Sequence, residues 1–391
     1  MSTIIRTRSP YFIRTQNETS LSLAYFELTI SIYKGTSGSI DVCTDIYKAY
    51  TLKKKPLPEE HSVTFEISQI VNQHLVQTFT GSYTTAAQNQ SLWVNVNIRA
   101  RTSTGTQIGS VVSYNYLAKE GFNLFEDGVN YVTEPSIMIT SNHVQYLLTH
   151  QQLILPLNNE AVLSTKMFYN TGAVVNTNWS DNGQSTQKIK YSNWSTSSSL
   201  YPVKIEAYSG SNQGGTLLRT ITLEPVDECK YQVHRIVFLN RWGAFQELYF
   251  FKKSQEMINV TKEEYNSSLF HARKTQLSQD QYGACVDNPQ YNVYSTTEHK
   301  RKTFNTNATE EIQLNTGFVK EEMNSSYKEL MVSEFVWMQE VGPLGFGQPA
   351  PPIFPVNLKD STFNFKKSVN DRMINYTMVF NKSAEYINNI Q

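Results

Sequence analysis

Charge is what this sequence has least of. Only 17% of its 391 residues are Asp, Glu, Lys or Arg, against roughly a quarter in an ordinary soluble domain. The 34 basic and 34 acidic side chains cancel, so the chain carries no net field with which to collect a polyanion. That argues against specific nucleic-acid binding and against adsorption to anionic lipid. The basic runs Lys53-Lys54-Lys55 and Lys300-Arg301-Lys302 are short enough to read as solvated loop or strand-edge charges.

Cysteine is nearly as scarce. Cys43, Cys229 and Cys285 stand far apart with no CxxC, which excludes a disulfide framework and fits synthesis in a reducing compartment. Cys229 and His234 would supply two zinc ligands, but no second pair stands at metal spacing, and no metal or cofactor is expected. No run of about 18 apolar residues occurs, so no membrane-inserted helix is expected. The opening MSTIIRTRSPYF lacks the apolar stretch of a secretory leader, and the expected site of synthesis is the cytosol. Asn-x-Ser/Thr triplets such as those at Asn178, Asn193 and Asn259 then reflect composition. No GxGxxG, P-loop or GxSxG interrupts the chain, which leaves nucleotide binding and serine-hydrolase chemistry without a motif.

What is abundant is aromatic. Twenty-three Tyr and 20 Phe residues in an Asn/Ser/Thr-rich, charge-poor background favour strands. At this length more than one core is expected. In the first segment, SLWVNVNIRARTSTG places Leu92, Val94, Val96 and Ile98 on one face and Trp93, Asn95, Asn97 and Arg99 on the other, the pattern of an antiparallel sheet with one wet side. SQIVNQHLVQTF predicts a short helix with Ser68 as its cap. From about Thr133, short apolar runs alternate with Gly- and Asn-rich turns, the spacing of a sandwich. From about Asp227, KYQVHRIVFLN and AFQELYFFKKS flank Asn240-Arg241-Trp242-Gly243, a hairpin in which Ile236 and Phe238 face Leu248 and Phe250. Ser254 to Glu298 reads as a polar stretch. SSYKELMVSEF predicts a helix carrying Tyr327 and Leu330, capped by Ser325 or Ser326. Gly342 to Pro355 reads as a Pro/Gly-rich arm, and STFNFKKSVN and RMINYTMVFNKS as two closing strands.

The expected architecture is therefore all-β: a multidomain β-sandwich of jelly-roll or Ig-like type with a few short helices. Its divisions are 1–132, 133–226, and a β-rich assembly domain over 227–391.

Three chemical readings compete. His234, Arg241 and Glu247 around the hairpin suggest a reactive site, but residue types and alternation are accounted for by packing alone. Carboxylate groups at Glu224/Asp227/Glu228 and Glu310/Glu311 suggest a polysaccharide-degrading enzyme, which requires two carboxyls at a set separation. Trp179 and Trp194, in the polar contexts NWSDNG and YSNWSTSSS, suggest outward loops that stack on a host-surface glycan.

Three stretches together resemble virion structural proteins of tailed bacteriophages. They are RSPYFI with LAYFELTISIYKG, VTFEISQIVNQHL and WVNVNI; KYQVHRIVFLNRWGAFQELYFFKKS; and EEIQLNTGFVKEEMNSSYKELMVSEFVWM with the closing PVNLKDSTFNFKKSVNDRMINYTMVFNKSAEYINNI. The resemblance covers residues 8 to about 100 and 230 to 390. It implies a non-enzymatic, multi-copy component of the tail, baseplate or neck, located in the virion, whose partners are copies of itself and other virion proteins. Within that reading, Arg241, Trp242, Phe245, Tyr327 and Leu330 are expected at an assembly interface or in the C-terminal core. Trp179 and Trp194 are expected on outward loops.

Overall fold

The computed structural model describes residues 3–17, 22–33, 46–57, 61–83, 91–149, 151–179, 189–194, 196–197, 199–226, 228, 230–267, 297, 299–341, 352–360, 362, 364–367 and 374–386. All three cysteines and most of the Pro/Gly arm lie outside them. The chain is all-β, with several sheets and, among the described residues, two short α-helices.

The first sheet combines β1 (Thr3–Arg6), β3 (Tyr25–Tyr33), β4 (Lys48–Lys54), β6 (Ser91–Arg101) and β7 (Gln107–Lys119) in the order β1-β7-β6-β3-β4. Leu28, Ile30, Val94 and Val96 are fully buried on its inner face, as the alternation requires. That face is covered by the hairpin of β2 (Phe12–Gln16) and β5 (Ser62–Glu66) and by α1 (Ser68–Asn72), through Ile13, Phe65, Ile67 and Val71. The helix is shorter than its sequence pattern predicts. Ser68 also does not cap it: its N–H and hydroxyl both donate to Glu66 Oε1, and the residue before the helix, Ile67, has no capping side chain.

The second group packs two sheets face to face. One holds β8 (Val144–Leu148), β10 (Ser164–Tyr169), β11 (Val174–Asn178), β13 (Pro202–Tyr208) and β14 (Leu217–Val226); the other pairs β9 (Leu153–Asn158) with β12 (Ile189–Trp194). Leu155, Leu157, Met167, Ile205 and Ile221 fill the space between them, a sandwich in the ordinary sense.

The third group is one seven-stranded antiparallel sheet, in the order β16-β15-β19-β20-β21-β18-β17. Its strands are β15 (Val233–Leu239), β16 (Phe245–Phe250), β17 (Gln255–Asn266), β18 (Arg301–Asn315), β19 (Val336–Val341), β20 (Ile353–Leu358) and β21 (Thr377–Lys382). One face carries Ile236, Phe238, Leu248, Phe250, Met338 and Phe380, and α2 (Asn324–Val332) lies over it with Tyr327 and Leu330. Neither Ser325 nor Ser326 caps α2, which continues from a 3-10 turn at Glu321–Met323 with no side-chain cap. Their hydroxyls reach Thr140 instead.

Two further expectations change. Ile353, Phe354 and Pro355, assigned to the arm, form the start of β20, and the described residues of STFNFKKSVN form no strand. The closing alternation does hold: Ile374, Tyr376, Met378 and Phe380 are buried.

Candidate functional site

The hairpin of β15 and β16 meets all three strand groups. Cross-strand pairs run Ile236↔Leu248 and Val237↔Glu247, and every residue of both strands is buried. The reason is cover on both faces. Val144, Leu148, Val226 and α2 pack on one side. On the other, Phe79 and Tyr83 from the first group and Tyr191 from the second surround Val237, Leu239, Phe245 and Trp337. Phe245 lies 4.9 Å from Phe79 and 5.5 Å from Trp337, ring centre to ring centre.

Its turn is locked as tightly. The Asn240 carboxamide accepts from the Trp242 and Ala244 N–H groups and donates to Met138 O at 2.6 Å. Gly243 has φ +72°, and a Cβ there would sit 2.1 Å from Glu120 O. Opposite it, Gly121 has φ +138°, and a Cβ would meet Arg241 O at 2.5 Å. Both positions therefore need glycine, for conformation and for space. Arg241 pairs with Asp127 and has its N–H on Glu329 Oε2 at 2.8 Å. Burial pushes the Glu329 carboxyl up to about 7.

His234, Arg241 and Glu247 do not converge. His234 shares the face of Ile236 and Phe238, whereas Glu247 points from the opposite face and Arg241 lies in the turn. Glu247 is the centre of a buried polar knot. Tyr83 Oη and Arg235 Nη1 both donate to its Oε1, the second at 3.2 Å, and Tyr249 Oη donates to Oε2 at 2.5 Å. Gln145 donates to its backbone oxygen at 2.9 Å. Burial, then the adjacent carboxylate, holds the Tyr83 and Tyr249 phenols well above their ordinary range. A carboxylate answered by one guanidinium and two phenols fixes the registry of three chain segments. His234 is 2% exposed, and neither ring nitrogen has a hydrogen-bond partner; burial lowers its pKa to about 4.

Of the residues expected at an interface or in the C-terminal core, Phe245, Tyr327 and Leu330 are at most 1% exposed and belong to the core. Arg241 is engaged within the chain. Trp242 is half-buried against Met138, Ile189 and Ala244, with its remaining surface on an open cleft beside Leu217 and Leu218. The outward placement is overturned for Trp194, while Trp179 is half-buried. Trp194 is buried in the sandwich, and Trp179 packs edge-on against it at 6.0 Å with its N–H on Thr165. Polar neighbours in sequence concealed that β9 and β12 turn Trp194 inward.

Of the candidate carboxylates, Glu310 and Glu311 border one cavity, and each already answers a lysine. Glu310 and Glu311 are consecutive on β18 and so face opposite sides; Lys382 pairs with the first, Lys359 with the second. Glu224 pairs with Lys320 and Glu228 with Lys252, while Asp227 lies outside the described residues.

What the sequence reading missed is a ribbon. Residues 255–266, taken as polar linker, form β17, paired with β18 from Gln255↔Gln313 to Asn266↔Arg301. β18 meets β21 only over Glu311–Asn315. From Arg301 to Glu310, β17 is its one strand partner among the described residues, with an added bond from Tyr386 N–H to Ala308 O. Ten residues of strand project by about 30 Å. Phe304 is 76% exposed, and Ile258, Val260 and Tyr265 are exposed as well. The signal was present: Ile258 and Val260 alternate with polar residues, but the many charges in VTKEEYN masked it.

At the base of the ribbon is a cavity of about 420 Å³, bounded by Ile312, Met338 and Phe354 below and by Glu256, Glu310 and Glu340 at its sides. Among the described residues no cluster of His, Cys, Asp and Glu is arranged to hold a metal ion, and no helix is long and apolar enough to cross a membrane. No protein-family model matches the chain, and no curated protein matches it in sequence.

Proposed function

We propose that this chain is a structural subunit that acts by assembling with further copies of itself, of the kind found in the tail, baseplate or neck of tailed phages. The observation that carries this reading is the ribbon. A two-stranded ribbon is marginal in water on its own, and this one holds Phe304, Ile258 and Val260 in solvent. An exposed apolar surface on a projecting arm is the usual form of an association element. The outer edge of β17, unpaired by any described strand, offers backbone groups for further pairing. The resemblance of the chain ends to tailed-phage virion proteins supplies the setting, and a balanced charge permits close packing of many copies.

The glycan-binding alternative is weakened, since Trp194 is buried and the half-buried Trp179 packs against it. The test of the assembly reading is sedimentation velocity of the full chain over a wide concentration range. Wild type is expected to associate, and a variant with Phe304→Asp and Val260→Asp to shift towards monomer with an unchanged melting curve. Association unaffected by the double variant would overturn the ribbon's role; a strict monomer throughout would overturn self-assembly.

A further inference from the structure

We propose that the cavity at the base of the ribbon receives the basic far end of the ribbon of a second copy, so that copies join head to tail. This rests on the assembly reading above and specifies its contact.

The cavity opens where the core face of the seven-stranded sheet runs out. Ile312 and Met338 are core residues and Phe354 is half-buried, so the floor is apolar. Glu256, Glu310 and Glu340 come from β17, β18 and β19. Lys382 answers Glu310 and lies over the Phe354 ring at 5.2 Å. Among the described residues, no cation pairs with Glu256 or Glu340. An apolar floor with two carboxylates in excess is the complement of a cationic head on an aliphatic stem, which describes a lysine or arginine side chain.

Such side chains stand at the other end of the same ribbon. Lys300, Arg301 and Lys302 are all exposed, and among the described residues the ion pair there joins Arg301 to Glu264 at 3.7 Å, with both side chains exposed. Opposite charges at the two ends of a ribbon about 30 Å long cannot meet within one copy while the strands stay paired. They meet when the end of one ribbon enters the base of the next. The contact is heterologous, and repetition closes a ring or extends a filament according to the rotation between copies.

The test uses full-length protein in two isotopic forms, mixed and treated with a zero-length carboxylate–amine cross-linker. Cross-links between Lys300 or Lys302 of one form and Glu256 or Glu340 of the other are expected, and fewer of them at high salt. In parallel, E256K/E340K and K300E/K302E are each expected to weaken association at least tenfold, and their mixture to restore it. If wild type associates but neither variant weakens it, or the mixture stays weak, the pocket contact is overturned while assembly stands. If wild type does not associate at all, both readings fail together. Should a reversed chain misfold, the wild-type cross-links decide alone. A free oligolysine peptide that cross-links to Glu340 in the absence of any inter-copy link would make the occupant a different cationic partner and overturn the second-copy assignment.

Discussion

Two hairpins occupy opposite ends of one seven-stranded sheet, and their environments could hardly differ more. In β15–β16 every residue is buried, including His234, Arg235 and Glu247. In β17–β18 almost every residue of β17 is exposed. The backbone geometry is the same in both. What differs is what lies above and below: the first hairpin is covered on both faces, by the second group and α2 on one and by residues of both other groups on the other, while among the described residues the far half of the second has little cover. Burial is therefore a property of the neighbours. Inside the first hairpin Arg235 and Glu247 satisfy each other while the His234 ring nitrogens stay unpartnered, and the apolar residues on the second are exposed.

Five measurements would sharpen or break that contrast. The largest expected effect is Gly243→Val, which places a β-branched side chain at positive φ against Glu120 O. A loss above about 4 kcal/mol by chemical denaturation is expected, and a loss near zero would mean the turn is not clamped. Next, Glu247→Ala leaves Arg235 buried without its carboxylate, with about 3–5 kcal/mol lost. Phe245→Ala removes the ring shared by three groups, at a similar cost of about 3–5 kcal/mol.

Fourth is the pH response of His234. Its folded pKa of about 4 lies below the unfolded value, so the native state binds the proton less readily. Its stability is intact above roughly pH 6.5 and falls as pH drops towards 4, by at most about 3 kcal/mol. Glu120 and Glu329, both raised to about 7 by burial, act with the opposite sign. Their contribution is full below the ordinary carboxylate pKa and is lost as pH rises towards 7. Comparing wild type with His234→Leu across this range isolates the histidine; identical slopes would show that its ring is solvated. The smallest effect is Phe304→Ala on the ribbon, within about 0.5 kcal/mol for the isolated chain. A much larger loss would place Phe304 in a folded core and remove the contrast altogether.

The strand pattern was legible wherever one face is wet. Leu92, Val94, Val96 and Ile98 follow their alternation, as do Tyr376, Met378 and Phe380, because the pleat turns successive side chains to opposite sides. The hairpin partners of Ile236 followed from turn chemistry at Asn240 and Gly243. Less legible were the indoles and the ribbon. Trp194 sits among Ser and Asn in sequence, yet its strand faces a sandwich core supplied by residues up to about 50 positions away. Phe304 sits in a strand, where a core place is the default expectation, but none of the described residues covers it. The short helices lost their serine caps for the same kind of reason: Ser68 and Ser326 found stronger partners in Glu66 and Thr140 than an open helix end.

By itself, the sequence determined that the chain is built of strands, where many of them turn, and which residues alternate, since local sterics and side-chain period act over a few residues. Only the tertiary structure decided which strands are covered on both faces, that Glu247 joins three segments, and that one ribbon and one acidic cavity remain open. Those outcomes depend on contacts between residues distant along the chain, which no local pattern encodes.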